Sequence, residues 1–199
     1  MHIAHIILAA MVFVAPAAAL GDDVPAAAAG PKVVISTSLG DITLQLDAAH
    51  APLTVANFLR YAKEGHFDGT VIYRVVPGFV IQAGSWTADV KYRPVHDGVP
   101  LETGLPHKRG AIAMARGDAT DSGTAEFFID LDTNGALNAD PNAPPNTTGY
   151  AVFGEVVNGM DVIDKIAAVP LGDNGPMKGA APVDPIVILK VAAMPDAAP

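Results

Sequence analysis

Arg74 is the residue that asks for a chemical explanation. It stands inside IYRVVPGFVIQAG, residues 72–84, whose other members are apolar or glycine except Tyr73 and Gln82. The ordinary place for a single arginine is an outward position on an alternating strand. Here Ile72, Arg74 and Val76 fall on one face and Val71, Tyr73 and Val75 on the other, so the guanidinium keeps apolar company. A guanidinium carries a permanent charge and five donors, and a half-buried one needs acceptors. Gln82, on the run that returns after Pro77-Gly78, and Glu126 are the candidates. A second apolar group, Met114, Phe127 and Phe128, follows downstream. Together these residues offer a charged planar donor beside an apolar wall.

Other chemistries lack their parts. His50, His66, His96 and His107 are scattered, without an HExxH helix or a close carboxylate pairing, and read as solvated surface residues. No GxSxG elbow exists, and Ser122 lies in a polar, glycine-flanked stretch. No glycine-rich turn links a strand to a helix start, as a phosphate cradle requires. The chain has no Cys, which excludes disulfides, thiolate metal sites and a cysteine nucleophile. Its formal charge is −9, without a basic run, so nucleic acid and anionic membrane surfaces are poor partners.

The elements that must position Arg74 follow from periodicity. KVVISTS and DITLQL are β-branched runs around Leu39-Gly40, the second alternating at Ile42, Leu44 and Leu46, which is a hairpin pattern. In APLTVANFLRYAKEG the period changes: Pro52 suits a first helical turn, Val55, Phe58, Leu59 and Ala62 share a face, and Gly65 ends the helix. Short strands then return as TVIYRVV, FVIQAG, GAIAMA, EFFID, YAVFGEV and PIVILKVAA, with a second helix in NGMDVIDKIAAV behind an Asn158 cap. Strands in succession without intervening helices argue for antiparallel pairing. The expected fold is mainly β, a closed eight-stranded antiparallel barrel capped by two helices. Two long loops, residues 85–109 and 132–149, stand outside this scheme and point to function.

Residues 1–19 form an apolar run ending in Ala17-Ala18-Ala19, which reads as a signal peptide for export. Residues 20–31, small and aperiodic, read as a flexible leader, with order beginning near Lys32 and a flexible tail over 194–199. One domain, residues 32–193, is expected between them.

The motifs carry a family resemblance. VIYRVVPGFVIQAG resembles the strand-turn-strand segment of the cyclophilins, and GAIAMARGDATDSGTAEFFID and GYAVFGEVVNGMDVIDKI resemble their second and third signatures. The resemblance spans residues 32–193 and is greatest to the bacterial periplasmic members. It implies peptidyl-prolyl cis-trans isomerisation in exported proteins, in the periplasm, by a monomer that needs no metal or cofactor. By the same resemblance Arg74 is the catalytic arginine and Gln82 orients it. Phe79, Val80, Phe128 and Leu137 become walls of a proline pocket, with Val80 where most relatives have Met. Ala115 and Arg116 would offer backbone groups to an extended peptide, and Tyr150 matches a position that is His in some relatives. Met114 and Glu126 complete the expected substrate-binding set, with Glu126 standing where most relatives have Gln.

Two departures shape the expectations. A carboxylate at Glu126 is expected to tie down Arg74 and moderate activity. Ala136 replaces the Trp of cyclosporin-sensitive relatives, so cyclosporin binding should be weak. Two other readings compete: a non-catalytic proline-peptide binding module or holdase, and a ligand-carrying barrel of lipocalin type. The retained Arg74 argues against the first, and the bulky interior residues against the second.

Overall fold

The structure is a computed structural model that describes residues 30–174 and 177–195. The expected signal peptide, the leader up to residue 29 and the tail from residue 196 lie outside the described residues. The first described residues are tied down: Leu46 N–H donates to Pro31 O (3.0 Å) and the Gln45 amide donates to Gly30 O. Gly30 and Pro31, placed in the expected flexible leader, are thus held against Gln45 and Leu46.

The elements run β1 (Lys32–Thr37), β2 (Gly40–Leu46), α1 (Pro52–Lys63), β3 (Arg74–Val76), β4 (Val80–Ala83), β5 (Ala111–Met114), β6 (Phe127–Asp130), a 3-10 turn (Gly135–Leu137), β7 (Ala151–Asn158), α2 (Met160–Ala167), β8 (Leu171–Asn174), β9 (Met177–Pro182) and β10 (Ile188–Ala193). Eight strands form one antiparallel sheet in the order β10-β1-β2-β7-β5-β6-β4-β3, and β8 and β9 pair apart from it.

The sheet curls but does not close by a ladder, which corrects the expected closed barrel. Its end strands, β10 and β3, meet only through the residues before them: Val71 bridges Val187, Ile72 N–H donates to Ile186 O (2.9 Å) and Ile188 N–H to Thr70 O (2.8 Å). The cause is local. Val71 N–H turns the other way, to Trp86 O (2.8 Å), and residues 70 and 71 make only isolated bridges, to Thr87 and Val187, with no continuous ladder on either side.

The β8–β9 hairpin is absent from the periodicity reading because LGDN and MKGAAP have no alternation of apolar residues to mark them.

One face of the curled sheet holds the core. Val33, Ile35, Ile42, Leu44, Ile81, Ile112, Phe127, Ile129 and Phe153 are buried there. α1 covers it with Val55, Phe58, Tyr61 and Ala62, and Phe58 meets Phe67, Phe127 and Phe153 at ring separations of 5.1, 5.5 and 5.2 Å. Each such side chain contributes on the order of 1.5–3 kcal/mol on burial. α2 adds Val162, Ile163 and Ile166.

Both helix starts differ from simple side-chain capping. Asn158 closes β7 and does not cap α2; the cap is Gly159 at φ 93°, where a Cβ would stand 2.4 Å from Asp41 O. Only glycine fits so close to β2. At α1 the cap comes from afar: the Glu102 carboxylate accepts from Leu53 N–H (3.1 Å), Thr54 N–H (2.8 Å) and the Thr54 hydroxyl (2.8 Å). A negative group on free amide donors at a helix N-terminus is favourable. The first long loop is thus anchored to the helix, and His96 N–H bonds the Tyr61 hydroxyl (2.8 Å) nearby.

Candidate active site

The β3–β4 hairpin sets Arg74 directly opposite Gln82, and Arg74 Nη1 donates to Gln82 Oε1 at 3.1 Å. Pro77-Gly78 turns the chain, closed by Phe79 N–H to Val76 O (2.9 Å). Register then carries one row across four strands: Gln82 lies opposite Phe128, Phe128 opposite Ala113 and Ala113 opposite Val152. Strand alternation points this row away from the main core, since Ile81, Phe127, Ile129 and Ile112 face inward. Val80, Ala111, Ala113, Phe128 and Val152 make a second, smaller apolar cluster, with Phe79, Leu105, Ala115, Leu137 and Tyr150 packed on it.

Of the expected site residues, Arg74, Gln82, Phe79, Val80, Phe128, Leu137, Tyr150 and Ala115 therefore meet on one face. Met114 does not. It is 3 % exposed and belongs to the main core opposite Phe127, because on β5 it alternates with Ala113. Ile72 also differs from its expected place beside Arg74: residues 70–73 precede the ladder, and Ile72 turns into the core. The apolar surroundings of Arg74 come from the return strand and β6 instead.

The Phe128 ring is held by two others. Tyr150 meets it edge-on (5.5 Å, 86°) and His107 lies parallel to it (5.7 Å, 10°). Arg116 places its guanidinium carbon 5.4 Å from the Tyr150 centroid and donates from Nε to Gly149 O (2.9 Å). Tyr150 N–H in turn donates to Leu137 O at 3.2 Å. His107, expected on the solvated surface, is fully buried and bonds Asp130 through Nδ1 at 2.8 Å. Sequence reading missed it because a histidine in an aperiodic loop carries no pattern that shows what will cover it.

Glu126 continues the same face, between Ala115 and Gly84. Ala115 N–H donates to Glu126 O (2.8 Å), so of the expected backbone offer the Ala115 amide is already spent. The carboxylate fills the space that Gly84 leaves by having no side chain: a Cβ there would stand 2.6 Å from Glu126 Oε2. Oε1 accepts from Ser85 N–H (2.7 Å), and Oε2 is buried without a partner among the described residues. Burial pushes the Glu126 carboxyl above the ordinary carboxylate range, partly offset by Tyr73 and by the Ser85 amide. Burial, then the nearby Glu126 charge, pushes the Tyr73 hydroxyl up.

The expected Arg74–Glu126 pairing is not formed. Among the described residues Arg74 makes no salt bridge, and its acceptor is the neutral Gln82 amide. The Ser85 amide has drawn the carboxylate the other way. The guanidinium charge is thus held in place without being neutralised.

A concavity of ≈ 370 Å³ lies elsewhere, between Gly30, Leu46, His50, Leu105, Lys108 and Glu155, and includes neither Arg74 nor Gln82. Its charged groups do not converge with a reactive group, and the Arg74 row is the better candidate for chemistry. Among the described residues no group of three or more His, Asp or Glu could hold a metal, and no helix is long and apolar enough to cross a membrane.

Comparison with known proteins identifies the family. The family model described as cyclophilin type peptidyl-prolyl cis-trans isomerase/CLD matches residues 32–193. The chain is 41 % identical over 165 residues to peptidyl-prolyl cis-trans isomerase A of Dickeya dadantii, covering 82 % of this chain and 84 % of that one. It is 40 % identical over 161 residues to peptidyl-prolyl cis-trans isomerase B of Escherichia coli, covering 80 % and 97 %. Among solved structures, a Cryptosporidium parvum cyclophilin type isomerase, crystallised in the presence of the dipeptide Ala-Pro, superposes with a TM-score of 0.67 at 22 % identity, covering 83 % of this chain and 99 % of that one.

Proposed function

The chain belongs to the cyclophilin-type peptidyl-prolyl cis-trans isomerases, and from that membership we propose that the Arg74 row is where it turns the X-Pro bond. The reaction breaks no covalent bond. Partial double-bond character gives the peptide C–N bond a barrier of roughly 20 kcal/mol, and the uncatalysed change takes tens to hundreds of seconds. A catalyst must favour the twisted state, in which that character is lost and the prolyl nitrogen becomes pyramidal, over both planar ones.

Each residue of the row has a part in that task. Phe79, Val80, Phe128, Leu137 and Tyr150 supply apolar walls that hold the prolyl ring. Arg74 donates toward the pyramidal nitrogen or a nearby carbonyl, and Gln82 fixes the angle from which it does so. The Ala115 carbonyl and the Arg116 amide lie beyond the end of β5, where an extended peptide pairs as an added strand. Rotation about the C–N bond transfers no proton, so no titrating base takes part. A positioned donor in a partly desolvated site is worth on the order of 3 kcal/mol in the transition state.

The observation that carries this reading is the pairing of Arg74 with a neutral amide, which aims the guanidinium and leaves its charge unspent. The apolar N-terminal run supports a role in the folding of exported proteins in the periplasm, with proline-containing segments of unfolded chains as clients. Ala136 sits exposed on the 3-10 turn next to Leu137, and its small side chain supports weak cyclosporin binding.

The test is a protease-free, NMR-monitored isomerisation assay on a proline peptide. Arg74→Ala should lower kcat/KM by about 100-fold while leaving the melting temperature nearly unchanged, because the side chain is half-exposed and unpaired with charge. Activity equal to wild type would remove Arg74 from the reaction.

A further inference from the structure

Asp130 and His107 are both fully buried and ionisable, and both stand behind the pocket walls on the same side of the sheet, His107 against Phe128 and Asp130 opposite Val80. Asp130 closes β6 and is paired in register with Val80. Its Oδ1 accepts from Asn134 Nδ2 (2.6 Å) and its Oδ2 faces His107 Nδ1 (2.8 Å), so both oxygens are used.

Each of these two partners continues to a different wall of the pocket. The same Asn134 amide donates to Phe79 O (2.9 Å), which also accepts from Leu131 N–H (2.8 Å). The His107 ring lies parallel to Phe128 at 5.7 Å. His107 backbone is fixed as well, by its N–H to Asn138 Oδ1 (2.9 Å) and by its carbonyl accepting from Asn134 N–H (3.0 Å). The ring itself has one anchor only, since Nε2 is buried without a partner among the described residues. Rotation of the imidazole is therefore governed by the Asp130 carboxylate.

We propose that Asp130 is a positioning residue that sets the width of the proline pocket, acting on Phe128 through His107 and on Phe79 through Asn134. The inference rests on the reading that this face holds the prolyl ring. A carboxylate is suited to the task because it accepts on both sides. An amide of the same shape turns an NH2 to one side: facing Asn134 it opposes another amide NH2, and facing His107 it makes Nδ1 the acceptor and moves the ring proton to Nε2, which has no acceptor among the described residues.

Asp130→Asn tests it. Losing one hydrogen bond or leaving a buried donor without an acceptor should raise KM for a proline peptide about three- to tenfold, with kcat within about twofold, because Arg74 and Gln82 are untouched. With 13C-labelled phenylalanine, the Phe128 ring signals should shift and ring flipping should quicken. A lowered melting temperature with unchanged KM and unchanged Phe128 signals would assign Asp130 to stability alone and overturn the proposal. Should Asp130→Asn not fold, Asn134→Ala cuts only the Phe79 arm. It should raise KM about two- to fivefold, and an unchanged KM would count equally against the proposal. Arg74→Ala, run alongside, separates the two layers. If it retains full activity, the site reading fails; if it loses activity while both network variants keep wild-type KM, the positioning inference fails.

Discussion

Replacing Glu126 by Gln should stabilise the protein, and do so in a pH-dependent way. Glu126 Oε1 keeps its bond to the Ser85 amide in either residue, but Oε2 is a buried carboxylate oxygen without a donor. Burial raises the folded-state pKa of this carboxyl, so over the interval between the ordinary glutamate value, near 4.3, and the raised one the folded chain binds more protons than the unfolded chain. Stability then falls as pH rises through that interval. The glutamine variant does not ionise and escapes this loss. Glutamine puts an amide NH2 where Oε2 stands, no better partnered, so the gain is only the extra cost of burying an ionised carboxylate over a neutral polar group, on the order of 1–3 kcal/mol, which for a domain of this size is roughly 3–9 °C in melting temperature. Thermal unfolding followed by circular dichroism should show Glu126→Gln melting higher by that amount at pH 7, with the gap closing toward pH 4. A gap of the same size at both pH values, or a less stable variant at pH 7, would refute the argument. In the isomerisation assay the variant should stay within about threefold of wild type, since Glu126 makes no ion pair with Arg74 and the Arg74–Gln82 bond is left in place.

Glu102→Ala should cost about 0.5–2 kcal/mol by uncapping α1, visible as a lower melting temperature with the isomerisation rate at saturating substrate retained; an unchanged melting temperature would show that the three bonds to Leu53 and Thr54 add nothing. Ala136→Trp should tighten cyclosporin binding by roughly tenfold or more through one large aromatic contact, measured by calorimetry against wild type. A nanomolar dissociation constant for the wild type itself would overturn the expectation of weak binding.

Much of the site was legible before any coordinates because it is built from regular alternation. Period two on β4 and β6 sends Gln82 and Phe128 to one face and Ile81 and Phe127 to the other, and a Pro-Gly turn between two short apolar runs fixes Arg74 opposite Gln82. The same rule, applied to GAIAMA, would have placed Met114 inside. What escaped depends on long-range satisfaction of polar groups. Nothing local tells that Glu102 will cap a helix 48 residues earlier, that Glu126 will turn to the Ser85 amide instead of Arg74, or that His107 will be covered and meet Asp130. Ladder closure escaped for a similar reason, because residues 70–72 look like strand but find only isolated bridges to distant segments, Thr70 to Thr87 and Val71 to Val187.

The partner of Arg74 has a consequence for control. A guanidinium stays charged throughout the pH range in which proteins fold, and a carboxamide does not titrate, so the Arg74–Gln82 pair offers protons no handle. If the proposed site is right, the rate should be indifferent to acid and alkali for as long as the protein remains folded. Acidity would then reach it through Glu126 and the integrity of the fold, and the proposed pocket would leave turnover to be set by what occupies it and how wide its walls stand.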